Sequence, residues 1–116
     1  MRLLMVENHA TFAEIVRRQF LGAHEVVIVP SLAAARERLR GGVFDAVLVD
    51  FDLDDGKGDV LVRELKTSGF AGRIVGISSH EQGNAALLAA GAHASCPKSA
   101  FARIAERLKP VAEGSA

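Results

Sequence analysis

The residues of this chain that could do chemistry together are two carboxylates, an amide, a hydroxyl and an amine. They are Glu7, Asp50, Asn8, Ser78 and Lys98, with Asp52 two places beyond Asp50. Each follows a short apolar run. Residues 2–6 lead into Glu7-Asn8, the run 46–50 ends on Asp50, residues 73–77 lead into Ser78-Ser79, and residues 92–96, through Pro97, lead into Lys98. Neighbouring strands lie about 4.8 Å apart. Glu7, Asn8 and Asp50 at adjacent strand ends can therefore share one hard divalent cation through oxygen ligands. Mg²⁺ suits such a set, because it takes a few protein oxygens and keeps water or phosphate oxygens for the rest. Ser78 would flank Asp50, and the long stem of Lys98 brings an ammonium to the same place. A carboxylate nucleophile with a cation, a hydroxyl and an ammonium around it is equipped to accept a phosphoryl group.

The pattern between these residues supplies the scaffold. The runs 2–6, 25–29, 46–50 and 73–77 are β-branched and nearly continuous in apolar character, as strands buried on both faces are. Pro30 stops the second. Residues 92–96 are a weaker fifth strand, with Pro97 biasing Cys96 toward extended backbone. Helical stripes alternate with them. Phe12, Ile15, Val16 and Phe20 form the first and read as core. Ser31 caps the second, which carries Leu32, Ala35 and Leu39 and stops at Gly41-Gly42. Gly58, Leu61, Val62 and Leu65 make the third, ending near Gly69. Residues 82–90 make an Ala/Leu-rich fourth. Ser99 caps a fifth, with Phe101, Ile104, Ala105 and Leu108 facing inward and Pro110 near its end. Five βα units imply an α/β fold, a (βα)5 flavodoxin-like doubly wound parallel sheet of strand order 2-1-3-4-5. Ligands of such a sheet sit beyond the strand carboxyl ends at the switch in order, here between the first and third strands.

Composition narrows the rest. The 116 residues are one domain's worth of chain, 1–116, with 113–116 a tail or the start of a linker. Lys plus Arg equals Asp plus Glu at 14, so no global basic field attracts nucleic acid or anionic lipid. No apolar run is long enough to span a bilayer, and the one before Glu7 is too short for a signal peptide. A single cysteine, Cys96, excludes an internal disulfide and reads as a small buried hydrophobe. The expected setting is the cytoplasm. One asymmetry remains: all six aspartates lie between Asp45 and Asp59, with Lys57 the only base among them. Charges so close must be neutralised, solvated or shared with a cation. Asp54-Asp55-Gly56 reads as turn chemistry, and His9 as a first-turn helix residue rather than a ligand. An EF-hand is excluded, because counting from Asp50 its glycine position is Asp55 and its final glutamate position is Leu61.

Glu7-Asn8 after the first strand, Asp50 after the third, Ser78 after the fourth and Lys98 after the fifth together resemble the bacterial response-regulator receiver domain over essentially the whole chain. The resemblance implies that Asp50 is the phosphoacceptor, that Ser78 and Lys98 assist, and that Glu7, Asn8, Asp50 and the backbone carbonyl of Asp52 hold Mg²⁺. It implies a histidine kinase or histidine phosphotransfer protein as donor. It also implies an effector domain or protein meeting the face of helix 4, strand 5 and helix 5, and it allows a homodimer. Such a domain turns over no separate substrate and catalyses only its own phosphorylation and dephosphorylation. The sequence departs from the family at Asn8, where a carboxylate is usual, which predicts weaker cation binding. It departs at Asp54, where a proline is common, and at Ser99, where a proline often follows a cis bond. It departs again at Ser95, where the family often has a switching aromatic. Asn8 and Ser95 motivate a second reading, a pseudo-receiver that binds partners without phosphorylation. Asp50-Phe51-Asp52 also matches the Asp-x-Asp of haloacid-dehalogenase-like phosphohydrolases. That family carries the motif on its first strand and in a longer chain.

Overall fold

A computed structural model describes residues 1–109, so Pro110 and the tail 113–116 lie outside the described residues. Strands β1 (Arg2–Val6), β2 (Glu25–Val29) and β3 (Ala46–Val49) alternate with helices α1 (Ala10–Phe20) and α2 (Leu32–Gly41). A short hairpin, β4 (Asp52–Leu53) and β5 (Gly56–Lys57), precedes α3 (Gly58–Thr67). Then come β6 (Arg73–Gly76), α4 (Glu81–Ala90), β7 (Ala94–Ser95), a 3-10 run (Lys98–Arg103) and α5 (Ile104–Leu108). The five main strands form one sheet in the order β2-β1-β3-β6-β7, every pairing parallel. With the hairpin set aside, this is the expected order 2-1-3-4-5.

The side-chain period of two sorts the central strands onto two faces. Leu3, Met5, Ala46, Leu48, Val75 and Ile77 pack with Ala13 and Val16 of α1 and with Phe101, Ile104 and Leu108. Leu4, Val6, Val47, Val49 and Ile74 pack instead with α2, α3 and α4 through Leu32, Ala35, Leu61, Val62, Leu65 and Leu87. Fully burying a leucine or valine contributes about 1.5–3 kcal/mol, so this doubly covered centre dominates the stability. The register then sets the site. Val6 pairs with Val49, Val49 with Gly76 and Gly76 with Ser95. Glu7 and Asp50 are the next residues on adjacent central strands, and Ser78 and Lys98 leave the same edge.

Several expectations need correction. The run 25–29 is not buried on both faces: β2 is a sheet edge and largely half-buried. The weaker fifth strand, β7, is the other edge and has two residues rather than five. In α1 the inner face is Ala13 and Val16, with Phe12 against it. Ile15 is 47% exposed and Phe20 lies at the rim, its ring 6.0 Å from that of Phe101. A 3.6-residue period admits both neighbours of a narrow apolar face, so the stripe runs wider in the sequence than in the fold. Ser99 caps nothing: it sits inside the 3-10 run that follows Pro97, and Ala105 is exposed. Phe101, Ile104 and Leu108 do face inward.

The turn Asp54-Asp55 has a second use. The Asp55 carboxylate accepts hydrogen bonds from the N–H groups of Leu32 (2.8 Å) and Ala33 (3.0 Å), capping α2 from across the fold, while Ser31 Oγ accepts from Ala34. These backbone donors hold the Asp55 carboxyl below the usual aspartate range. Its contribution to stability is therefore complete above the ordinary aspartate value and is lost as pH falls through the lowered native one. Asp55→Ala is expected to lower Tm at neutral pH. The gap to the parent should close at acid pH in melts followed by circular dichroism.

Candidate functional site

The sheet ladder carries on one step past the strands. Glu7 N–H donates to Val29 O (2.9 Å), Asp50 N–H to Val6 O (3.0 Å) and Ile77 N–H to Val49 O (2.9 Å). Glu7 and Asp50 are thereby fixed side by side, 1% and 4% exposed. Lys98 reaches them from the end of β7. Its Nζ lies 3.0 Å and 3.1 Å from the two carboxylate oxygens of Glu7 and 3.3 Å from Asp50 Oδ2. The ammonium also sits 4.9 Å from the ring centroid of Phe12, so α1 supplies one wall. Asp50 Oδ1 accepts from Phe51 N–H (2.8 Å), while Glu7 Oε2 accepts from His9 N–H (3.1 Å) and lies 3.2 Å from His9 Nδ1.

Two buried carboxylates thus share one ammonium. Burial pushes the Glu7 carboxyl above its usual range. The Lys98 hydrogen bond opposes this, and the Asp50 charge adds to it. Glu7 Oε1 is close to Lys98 without hydrogen-bond geometry, and Asn8 Oδ1 is buried without a partner. Oxygen atoms of Glu7 and Asp50 and a ring nitrogen of His9 lie within 4.8 Å of one another. This unsatisfied, oxygen-rich and negatively charged cluster fits a divalent cation.

The rest of the acidic run disposes of its charge locally. Asp52 pairs with Lys57, whose ammonium holds its carboxyl below the usual range. Asp59 pairs with Arg63 (2.8 Å), Asp45 accepts from Arg2 N–H (2.6 Å), and Asp54 accepts from Asn8 Nδ2 (3.1 Å). Of the residues singled out in the sequence, Glu7, Asp50 and Lys98 meet directly. Asn8 borders them, and the Asp52 side chain points to Lys57. Ser78 is buried at the neighbouring strand end, its Oγ accepting from His80 N–H (3.1 Å) and making no hydrogen bond to the cluster. A Cβ on Gly58 would collide with the Asp50 carbonyl, so only glycine lets α3 begin against the Asp50 backbone.

Sequence reasoning missed three contacts: the Asp55 cap on α2, the approach of His9 to Glu7, and Asn84. Asn84 Oδ1 accepts from Ser78 N–H (2.9 Å) and its Nδ2 donates to Ser78 O (3.0 Å). A lone amide in the apolar stretch 83–90 is the signal that could have exposed the last.

The response regulator receiver domain family matches residues 3–109, and the chain belongs to it. The fold is that of solved receivers. A response regulator from Chloroflexus aurantiacus J-10-fl is 23% identical, with TM-score 0.82 and 93% of each chain covered. A response regulator protein from Burkholderia pseudomallei, solved with a phosphorylated aspartic acid, calcium ion and citrate, is 19% identical. Its TM-score is 0.81, over 93% of this chain and 66% of that one. The Mn²⁺-bound form of response regulator Rcp1 is 17% identical, with TM-score 0.78 over 95% and 96% of the two chains. No curated protein matches the chain in sequence. Among the described residues no helix is long and apolar enough to cross a membrane.

Removing Lys98 leaves two buried carboxylates without a counter-charge. Lys98→Met is expected to cost about 3 kcal/mol or more of stability, read as a lower urea midpoint at neutral pH. The deficit should narrow on acidification, as Glu7 takes up its proton.

Proposed function

We propose that this receiver domain accepts a phosphoryl group on Asp50 from a histidine kinase or histidine phosphotransfer protein. The acylated state then alters a partner-binding face built by α4, β7 and α5. The observation that carries the reading is the buried Asp50 carboxylate, held by Phe51 N–H on one oxygen and by Lys98 on the other, beside Glu7. The phosphorylated aspartic acid of the Burkholderia structure supports it by fold analogy.

In this reading an Asp50 oxygen attacks the phosphorus as the bond to the donor breaks. With a phosphohistidine donor that is the P–N bond, and the imidazole nitrogen keeps the electron pair and takes up a proton. Lys98 offsets the charge gathered on the phosphoryl oxygens, and the Ser78 hydroxyl turns from His80 N–H to donate to one of them. Glu7, Asn8 through its free Oδ1, Asp50 and the backbone carbonyl of Asp52 would hold Mg²⁺, which supplies further neutralisation of those oxygens. The calcium and manganese ions of the related structures are in keeping with a divalent site. Asn8 serves two masters here. Its Nδ2 is engaged by Asp54, and its oxygen brings no formal charge to the cation. The domain turns over no separate substrate. The intact Asp50–Lys98 pair weighs against a pseudo-receiver, which has no need to keep it buried and aligned.

Incubation with a small acyl phosphate and Mg²⁺ is expected to add one phosphoryl group by intact mass. Asp50→Asn or a chelator should abolish the gain. No gain in the parent with any of several donors would overturn the reading. Mg²⁺ alone should raise Tm, and Asn8→Asp should tighten its binding on the order of tenfold by adding a charge to the ligand set, measured by calorimetric titration. Unchanged affinity would remove Asn8 from the site.

A further inference from the structure

The inner face of α4 is Gly83, Asn84 and Leu87, and Asn84 is its one polar member, 6% exposed. Its amide does not serve its own helix. It closes a two-bond clamp on the peptide groups of Ser78, accepting from the N–H at 2.9 Å and donating to the C=O at 3.0 Å. Ser78 lies two residues past the end of β6, beyond the last paired residue of β7, so neither neighbouring strand supplies these bonds. The helix is also pressed onto the Ser78 side chain. A Cβ on Gly83 would collide with Ser78 Oγ, and one on Gly76 would crowd Leu87 and Asn84 Oδ1. Ser78 is therefore attached to α4 by its backbone and packed against it by its side chain. Between α4 and the end of β7 a cleft of about 360 Å³, lined by Asn84, Leu88, Ser95 and Pro97 among others, leaves room for the helix to move. Ser95 carries no side chain large enough to fill it.

We propose that Asn84 is a positioning residue that couples the Ser78 hydroxyl to α4, so that the state of Asp50 is reported as a displacement of the first half of that helix. The inference rests on the proposed phosphorylation of Asp50 and deepens it. When the Ser78 hydroxyl donates to a phosphoryl oxygen and is drawn toward it, the pull is passed through the Ser78 backbone to the peptide groups on both sides of it. Both are held by one side chain of α4. A buried amide satisfied twice is a stiff link, because breaking either bond strands a buried polar group. The half-exposed Leu88 beyond it is carried into or out of the cleft rim.

The test uses the full chain with Mg²⁺ and excess acetyl phosphate, following phosphorylation by intact mass and the backbone by ¹⁵N amide spectra. In the parent, amides 78–90 are expected to shift on phosphorylation. In Asn84→Ala the mass gain should persist while the shifts of residues 81–90 fall to less than half, those beside Asp50 being retained. Ser78→Ala should suppress the same α4 shifts, and the double variant should add nothing further, as residues acting through one link do. Parent-sized α4 shifts in Asn84→Ala, or additive losses in the double variant, would overturn the coupling. Should Asn84→Ala fail to fold, Asn84→Asp keeps the acceptor for Ser78 N–H and removes the donor to Ser78 O. It should give an intermediate α4 response, and a full response would overturn the inference. A parent that gains no phosphoryl mass brings down the functional reading itself, and the coupling with it, a failure seen in the mass rather than in the spectra.

Discussion

Burying Glu7 and Asp50 next to each other, with Lys98 the one ammonium beside them among the described residues, is the constraint on which the rest of the structure turns. Like charges in a region of low polarity repel strongly, and each carboxylate loses its water. The strain shows as the raised proton affinity of Glu7 and as polar atoms of Glu7 and Asn8 left without hydrogen bonds. The sheet holds the two residues together regardless. They continue the ladder of the two most deeply packed strands, and moving either would break bonds made by its neighbours. A net negative, partly unsatisfied and rigidly held cluster favours the arrival of positive charge.

The acidic run 45–59 looks from its composition like a single reservoir of negative charge. The structure divides it. Asp45, Asp52, Asp54, Asp55 and Asp59 each find a local partner: a backbone N–H, a lysine, an amide, a helix N-terminus and an arginine. Asp50 alone is turned inward to the site. These outer pairs also tie the loop after β3 to β1 through Asn8 and to α2 through Asp55. The segment that follows the proposed phosphoacceptor is thus anchored at several points around it. Two glycines complete the packing. Gly58 lets α3 start against the Asp50 backbone, and Gly83 lets α4 close on Ser78. Side chains at either place would separate a helix from the site.

Much of the site could be read from the chain because it depends on strand ends. A short apolar run followed by Glu7, Asp50 or Ser78 marks both the element and the end at which the polar group stands. Parallel order then puts these ends along one edge, and the membership of the receiver family agrees. Periodicity served less well where a face is narrow or an element is short. Ile15 and Phe20 proved to be rim rather than core, β7 has two residues instead of five, and Ser99 stands within a 3-10 run that Pro97 introduces. For Ile15, Phe20 and β7 the deciding quantity was which neighbour lay opposite, and a local pattern does not contain it.

Local order along the chain therefore determined most kinds of element, their sequence and the polar groups at their ends. Backbone sterics and the hydrophobic period act over a few residues. Tertiary structure alone decided the pairings over long separations. It matched Lys98 to Glu7 and Asp50 rather than to solvent, Asp55 to the start of α2, Asn8 to Asp54, and Asn84 to both peptide groups of Ser78. The physical reason is that a buried polar group must find a partner wherever the packed chain presents one, and that place is fixed by the fold as a whole.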